Sequence, residues 1–349
     1  MGSKKDLKSL TLKELSNWLK QNNIKSYRSQ QIFNWIYQNR VENFSKMTNL
    51  TTNLRSRLGK LSYTTKLKLV NKNIAQDGTI KYLWQLDDKE KIESVYLPYA
   101  DGRKSTCIST QVGCAMNCIF CATGQQGFTR NLKTGEIIDQ VLAMERDLDF
   151  NGKISNIVFM GMGEPMNNLE AVLKALNIFN NPDGLNIGMR KMTISTAGII
   201  PGIKKIAKVN KQVGLAVSLN APNEKLRNKI MPVNKKYPLQ ELLDTVNYYV
   251  EKTKRRVTFE YVIIDNVNDK IKHAKQLVNK IKNINCHVNL IPVNPVKNLN
   301  VKKPPISRVK KFKDILIKNG IKTTIRKERG SDIKAACGQL KHKNTKGRG

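Results

Sequence analysis

The chain has 349 residues, with Lys+Arg 62 against Asp+Glu 27 for a formal net charge of +35. Its 40% hydrophobic and 26% charged residues describe a folded chain of about two domains and exclude a disordered or collagen-like one. No stretch approaches the roughly 20 apolar residues of a membrane helix, and the first 25 residues lack an apolar signal core, so a cytoplasmic protein is expected.

The positive charge is loaded on the ends. Residues 1–60 hold 12 basic and 3 acidic side chains, and residues 301–349 hold 16 and 3. A merely lysine-rich composition would spread evenly. Loading of the ends points instead to a nucleic acid held through its phosphates, and so salt-sensitively. Charge alone does not separate RNA from DNA.

Residues 1–60 read as a small helical domain. Thr11 and Glu14 form a capping box, with Leu12, Leu15, Trp18 and Leu19 at helical spacing. A second amphipathic segment covers Arg28–Tyr37 around Ile32, Phe33, Trp35 and Ile36, and Leu50 to Leu58 suggests a third. Residues 61–100 turn to β character, alternating through Tyr82-Leu83-Trp84 and Ser94-Val95-Tyr96-Leu97 up to Pro98, and form a β-type linker or extension.

Residues 101–340 are regular. Strand-like runs at Thr106–Ser109, Ile154–Met160, Lys191–Thr196, Val213–Leu219, Arg256–Ile263 and His287–Ile291 come first in each repeat. Helix-period segments follow them at Thr134–Phe150, Leu169–Phe179, Pro201–Lys208, Pro238–Lys252, Asp269–Lys282 and Ser307–Lys318. Six βα units and a last strand, Lys322–Arg326, predict an α/β fold with a parallel sheet covered by helices. Periodicity fits a partial (β/α)6 barrel and a doubly wound sheet equally. Either one places function at the C-terminal ends of its strands. The basic tail 341–349 is expected to be disordered.

The chain has six cysteines, and three of them form Cys114-x3-Cys118-x2-Cys121 just beyond the first strand of the repeat. A structural zinc site wants four ligands, and the three histidines (His273, His287, His342) all lie far along the chain. Three thiolates on one loop suit a cubane iron–sulfur cluster with one iron open to a small molecule, though zinc stays open at this point. Cys107, Cys286 and Cys337 are isolated, which by itself reads as buried small hydrophobes. Gly161-Met162-Gly163-Glu164 ends the second strand and matches no phosphate-binding fingerprint. It reads as a tight turn, or as a close backbone approach with a Glu able to accept from an ammonium group. Glu93, on its own, reads as a charge on an exposed strand face.

The cysteine motif, with Phe120 before its last cysteine and opening a βα series, resembles that of the radical S-adenosylmethionine (SAM) enzymes. Four further stretches sharpen the likeness: Ser109-Thr110-Gln111-Val112-Gly113-Cys114, Ala122-Thr123-Gly124-Gln125-Gln126-Gly127-Phe128, Gly161-Met162-Gly163-Glu164-Pro165 and Ala335-Ala336-Cys337-Gly338-Gln339-Leu340. Together they resemble the radical SAM adenine-C2 methyltransferases of 23S rRNA and tRNA, over essentially the whole chain. The resemblance implies a partial (β/α)6 barrel, a 4Fe–4S cluster on Cys114, Cys118 and Cys121, and two SAM molecules per turnover. It implies that Gly163, Glu164, Ser195, Ser218, Leu219, Asn220 and Asn294 surround SAM. Many relatives have His where this chain has Asn220, so a backbone contact is the safer expectation there.

The same likeness assigns Cys337 as the carrier of a methyl group, from which a SAM-derived radical removes hydrogen before the carbon adds to adenine. Cys107 then releases the product through a transient disulfide with Cys337, and Glu93, in Ile92-Glu93-Ser94-Val95, accepts the ring proton. The implied partners are 23S rRNA (adenosine 2503), tRNA (adenosine 37) and a reducing donor of flavodoxin or ferredoxin type, with no membrane and a monomeric enzyme. Chemistry supplies a reason for so long a route. Carbon 2 of adenine lies between two ring nitrogens and is too electron-poor to attack the methyl group of SAM. Two alternatives stand beside this reading: methylation of C8 of the same adenosine, and a zinc-bearing RNA-binding protein without catalysis. Gly163-Glu164-Pro165-Met166-Asn167-Asn168 and Gln125-Gln126-Gly127 look more like the C2 enzymes.

Overall fold

The computed structural model describes residues 4–148, 153–209, 212–294 and 301–340, so the tail 341–349 lies outside the described residues. Strand β1 (Lys5–Asp6) pairs in parallel with β2 (Ser62–Tyr63) and ties off a helical unit of α1 (Leu12–Gln21), α2 (Arg28–Tyr37) and α3 (Thr52–Leu61). The capping box forms as expected. Thr11 accepts from the Glu14 N–H, and the Glu14 carboxylate accepts from the Thr11 N–H at 2.9 Å.

An antiparallel meander follows, β3 (Lys68–Ile74), β4 (Ile80–Gln85) and β5 (Lys91–Pro98), and leads into β6 (Lys104–Cys107). A short hairpin, β7 (Gln111–Gly113) with β8 (Phe128–Asn131), comes next, then α4 (Thr134–Asp147) and β9 (Asn156–Phe159). The rest repeats: α5 (Leu169–Asn180), β10 (Met192–Thr196), α6 (Ile200–Lys208), β11 (Gly214–Ser218), α7 (Glu224–Ile230), α8 (Leu239–Thr253), β12 (Val257–Ile263), α9 (Ile271–Ile281), β13 (Cys286–Pro292), α10 (Ile306–Lys318) and β14 (Thr323–Ile325). Strands β6 and β9–β14 are all parallel and lie side by side in chain order.

That order decides between the two folds left open by periodicity. A doubly wound sheet reverses direction at a switch point, and this one never does. The sheet also curls. Arg326, just past β14, points a guanidinium nitrogen to within 3.8 Å of the Met160 sulfur, just past β9. Five inter-strand steps separate those strands, a span of roughly 24 Å in a flat sheet. The result is a partial barrel whose mouth is ringed by the C-terminal strand ends. Helix α7 and the β7–β8 hairpin are additions that the strand and helix periods did not reveal.

The helical unit is fastened to the barrel through α4, twelve of whose fourteen residues are buried. Lys8 and Asp139, both with fully buried side chains, pair at 2.7 Å, and Lys8 also donates to the Thr65 carbonyl. Asp139 accepts in addition from the Leu67 N–H and from Arg146. A second buried pair, Arg40 with Glu145 at 2.6 Å, lies further along α4. Each charge is desolvated, and the partner plus the extra hydrogen bonds offset that cost. Among the described residues no helix is long and apolar enough to cross a membrane.

Candidate active site

The β7–β8 hairpin closes a loop, residues 114–127, over the barrel mouth. Gly113 makes the closure possible: its φ is +75°, and a Cβ there would lie 2.0 Å from the Gly127 carbonyl oxygen. The Cys114 N–H donates to that same oxygen at 2.7 Å. Cys114, Cys118 and Cys121 all line one cavity of about 160 Å³, and none is in a disulfide. Among the described residues no three His, Cys, Asp or Glu side chains are grouped to hold a single metal ion. Three thiols lining one cavity fit an iron–sulfur cluster with one iron left open. Burial pushes Cys114 up to about 12 and Cys118 well above its usual value, so both need a positive charge on their sulfurs to act as thiolates.

The same cavity is lined by Gly163, Glu164, Ser195, Ser218 and Asn294, each at or just past a strand end. Gly163 has φ +103°, and a Cβ would press to 2.5 Å from Gln111, so the strand end lies directly on the hairpin. Glu164 is buried, and its carboxylate accepts from the N–H groups of Ala197 at 2.7 Å and Met166 at 3.0 Å. Burial nonetheless pushes its carboxyl up to about 7. Leu219 and Asn220 are buried and do not line the cavity. The Asn220 side chain accepts from the Val262 N–H at 2.7 Å and turns its amide to the Met231 sulfur, so it is spent on internal bonds.

A second cavity of about 340 Å³ adjoins the first, sharing Cys121, Met160, Ile291, Asn294, Arg326 and Cys337 with it. Cys107, at the end of β6, and Cys337, 230 residues later, both line it as free thiols. Burial pushes Cys107 up to about 12, the nearby Cys337 adds to the rise, and Arg326 opposes it. Cys337 in turn holds the Arg326 guanidinium charged. The segment bearing Cys337 is held at its backbone: Asn294 donates to the Cys337 carbonyl at 3.1 Å, Ala122 N–H to Gly338 at 2.7 Å and Thr123 to Leu340 at 2.7 Å. Glu93 is buried on β5, two residues from the cavity-lining Val95, and its carboxylate lies 3.2 Å from Lys81.

Sequence reasoning missed three charged residues here. Glu260 is buried in β12 and lines the first cavity, accepting from Asn289 at 2.8 Å. Arg227 on α7 is fully buried and donates to the carbonyls of Ala197 at 2.7 Å, Leu219 at 3.1 Å and Ser218 at 3.2 Å. Arg326 is the third. The available signals were a carboxylate inside a largely apolar strand, Val257–Ile263, and an Arg closing the last strand.

A curled parallel sheet with a three-cysteine loop over its C-terminal mouth is the architecture of a radical SAM enzyme, and the Radical SAM superfamily model matches residues 108–278. The model for the ribosomal RNA large subunit methyltransferase N-terminal domain matches residues 5–63. Two relatives bear the name "Probable dual-specificity RNA methyltransferase RlmN". The protein of Caldanaerobacter subterraneus subsp. tengcongensis is 48% identical over 98% of this chain and 99% of its own length. That of Alkaliphilus oremlandii is 49% identical over 97% and 98%. The crystal structure of a radical SAM methyltransferase from Sphaerobacter thermophilus superposes with a TM-score of 0.93 at 44% identity, covering 96% of this chain and 99% of that one. The chain belongs to the RlmN family of dual-specificity RNA methyltransferases. Its cofactors are a 4Fe–4S cluster and SAM, which the three-cysteine cavity and its polar strand ends fit.

Proposed function

We propose that this enzyme methylates C2 of a specific adenosine in 23S rRNA and in tRNA, with Cys337 as the methyl carrier. The choice of C2 over C8 follows the likeness of residues 163–168 and 125–127 to the C2 enzymes, and one observation carries the methyl-carrier chemistry. Two free thiols, Cys107 and Cys337, share a cavity that opens onto the three-cysteine site. A methyl carrier and a thiol to free it need that adjacency, whereas a non-catalytic RNA-binding protein has no use for it.

When bound, the cluster and SAM supply a 5′-deoxyadenosyl radical. The protein does the rest. Cys114, Cys118 and Cys121 hold the cluster; Gly163, Glu164, Ser195, Ser218 and Asn294 hold SAM, with the Glu164 carboxylate facing its ammonium group. Leu219 and Asn220 support this shell through backbone bonds. Cys337 carries the carbon that joins adenine, and Glu93 takes the proton from C2. The electron left on the ring by the radical addition passes to a flavodoxin- or ferredoxin-type carrier. Cys107 then attacks the Cys337 sulfur: the S–S bond forms as the bond from that sulfur to the methylene carbon breaks, and the carbon keeps the electron pair and takes up a proton to leave as the methyl group of the RNA. Arg326, which lowers the Cys107 pKa, favours the attacking thiolate.

On this reading residues 1–60 contact RNA, residues 61–100 are an extension, and residues 101–340 form the catalytic barrel with its cysteine arm. The enzyme works as a cytoplasmic monomer and draws electrons from a flavodoxin- or ferredoxin-type donor. The test is nucleoside mass spectrometry on RNA incubated anaerobically with the reconstituted protein, SAM and a reductant. 2-Methyladenosine that vanishes in Cys337→Ala is the expected result. 8-Methyladenosine, or 2-methyladenosine formed without Cys337, would overturn the scheme.

A further inference from the structure

The segment that carries Cys337 crosses the β3–β5 meander, at the turn between β3 and β4 and the end of β5, before it reaches the cluster loop. Gly330 N–H meets the Asp77 carboxylate at 3.3 Å, Gln76 N–H meets Asp332 at 3.2 Å, and Arg329 donates to the Pro98 carbonyl at 2.7 Å. Gly330 lies so close to the meander that a Cβ there would come within 2.8 Å of Thr79. One side chain in this platform reaches both ways. The Lys81 ammonium lies 3.2 Å from the Glu93 carboxylate and donates to the Lys334 carbonyl at 3.3 Å, three residues before Cys337. The Lys81 side chain is 13% exposed and that of Glu93 6%, so the ion pair is not a loose surface contact, while the bond to the Lys334 carbonyl lies at the exposed edge of the platform.

We propose that Lys81 is a positioning residue for methyl transfer: its ammonium group locks the Glu93 carboxylate and the backbone of the Cys337 arm into one arrangement. This inference rests on the reading of Glu93 as the acceptor of the ring proton. In that step the C2–H bond breaks, its electron pair stays with the ring, and the proton passes to a Glu93 oxygen. The oxygen must lie within hydrogen-bond reach of C2, while the carbon on C2 is still tethered to the Cys337 sulfur. Base and tether come from parts of the chain far apart in sequence. A single cation bonded to both adds a direct link between base and tether, beside the bonds that hold the arm at Gly330, Arg329 and Cys337.

The test compares Lys81→Met, which keeps the stem and loses the charge, with Lys81→Arg, which keeps the charge. Hydrogen exchange on the purified protein reads the arm directly, without turnover. Amide exchange over residues 330–338 should quicken about tenfold in Lys81→Met, as expected for loss of one hydrogen bond from a charged donor. Mass spectrometry of the reconstituted enzyme should find Cys337 still methylated by SAM, but an RNA–protein adduct accumulating in place of product. Lys81→Arg should recover both. Exchange at the native rate in Lys81→Met, or methylated RNA released without adduct, would overturn the inference. A Glu93→Gln enzyme that releases product at the native rate would instead overturn the reading of Glu93, and the exchange result would still judge the docking of the arm.

Discussion

Glu164 gives a pH test whose size follows from its surroundings. Burial raises its carboxyl from 4.5 to about 7, even though the N–H groups of Ala197 and Met166 favour the ionised form. The unfolded chain releases this proton near 4.5, so between there and about 7 the native state holds a proton that the unfolded state does not. Stability contributed by this group is therefore fully present below 4.5 and falls as pH rises to about 7, by about 3 kcal/mol in all. On the proposed reading, in which Glu164 meets the ammonium group of SAM, bound SAM changes the balance. An ammonium group on the ionised carboxylate contributes about 1.5–3 kcal/mol, roughly a 10- to 150-fold gain in affinity. Below about pH 7 the contact requires Glu164 to give up its proton, so affinity should fall by up to about tenfold per pH unit on the acid side. Glu164→Gln removes the charge. SAM affinity should then drop about 10- to 150-fold on the alkaline side of this transition, little on the acid side, and lose its pH dependence. Titration calorimetry of the reconstituted protein in two buffers of different ionisation enthalpy counts the proton released. Native protein that binds SAM with no proton release on the acid side would refute the reasoning.

Three further outcomes are expected. Arg326→Gln removes the cation that lowers the Cys107 pKa, so release of product from Cys337 should slow and its alkaline limb should move to higher pH; an unchanged limb in single-turnover assays would separate Arg326 from the release step. Lys8→Met leaves Asp139 charged and fully buried without its main partner, and should cost about 3–5 kcal/mol in denaturant unfolding. A cost below about 1 kcal/mol would mean that Arg146 and the Leu67 N–H suffice. Gly113→Ala cannot keep both its φ of +75° and the 2.0 Å approach to Gly127, so iron bound per chain after reconstitution should collapse while the far-ultraviolet circular dichroism stays native.

The features legible in the sequence are those that repeat or act over a few residues. The capping box at Thr11 and Glu14, the helix Arg28–Tyr37, the alternation of strands and helices from β6 to β14, and the cysteine spacing all depend on neighbours within a turn or two. Their side chains alone set the period, so they could be read before any fold was known. Resemblance added the expectation that Cys107 pairs with Cys337, which no local pattern contains. Tertiary structure decided what depends on contacts between distant residues. The curl that carries Arg326 to Met160, the Lys8–Asp139 pair that fastens the helical unit to α4, and the Lys81 bridge between Glu93 and the Cys337 arm join residues 166, 131 and 253 positions apart. A lysine in a β-strand reads as a solvated charge until the fold places a carboxylate and a carbonyl around it. The sequence alone determined which chemistry the chain can carry; packing decided which charges are desolvated and therefore strong enough to direct it.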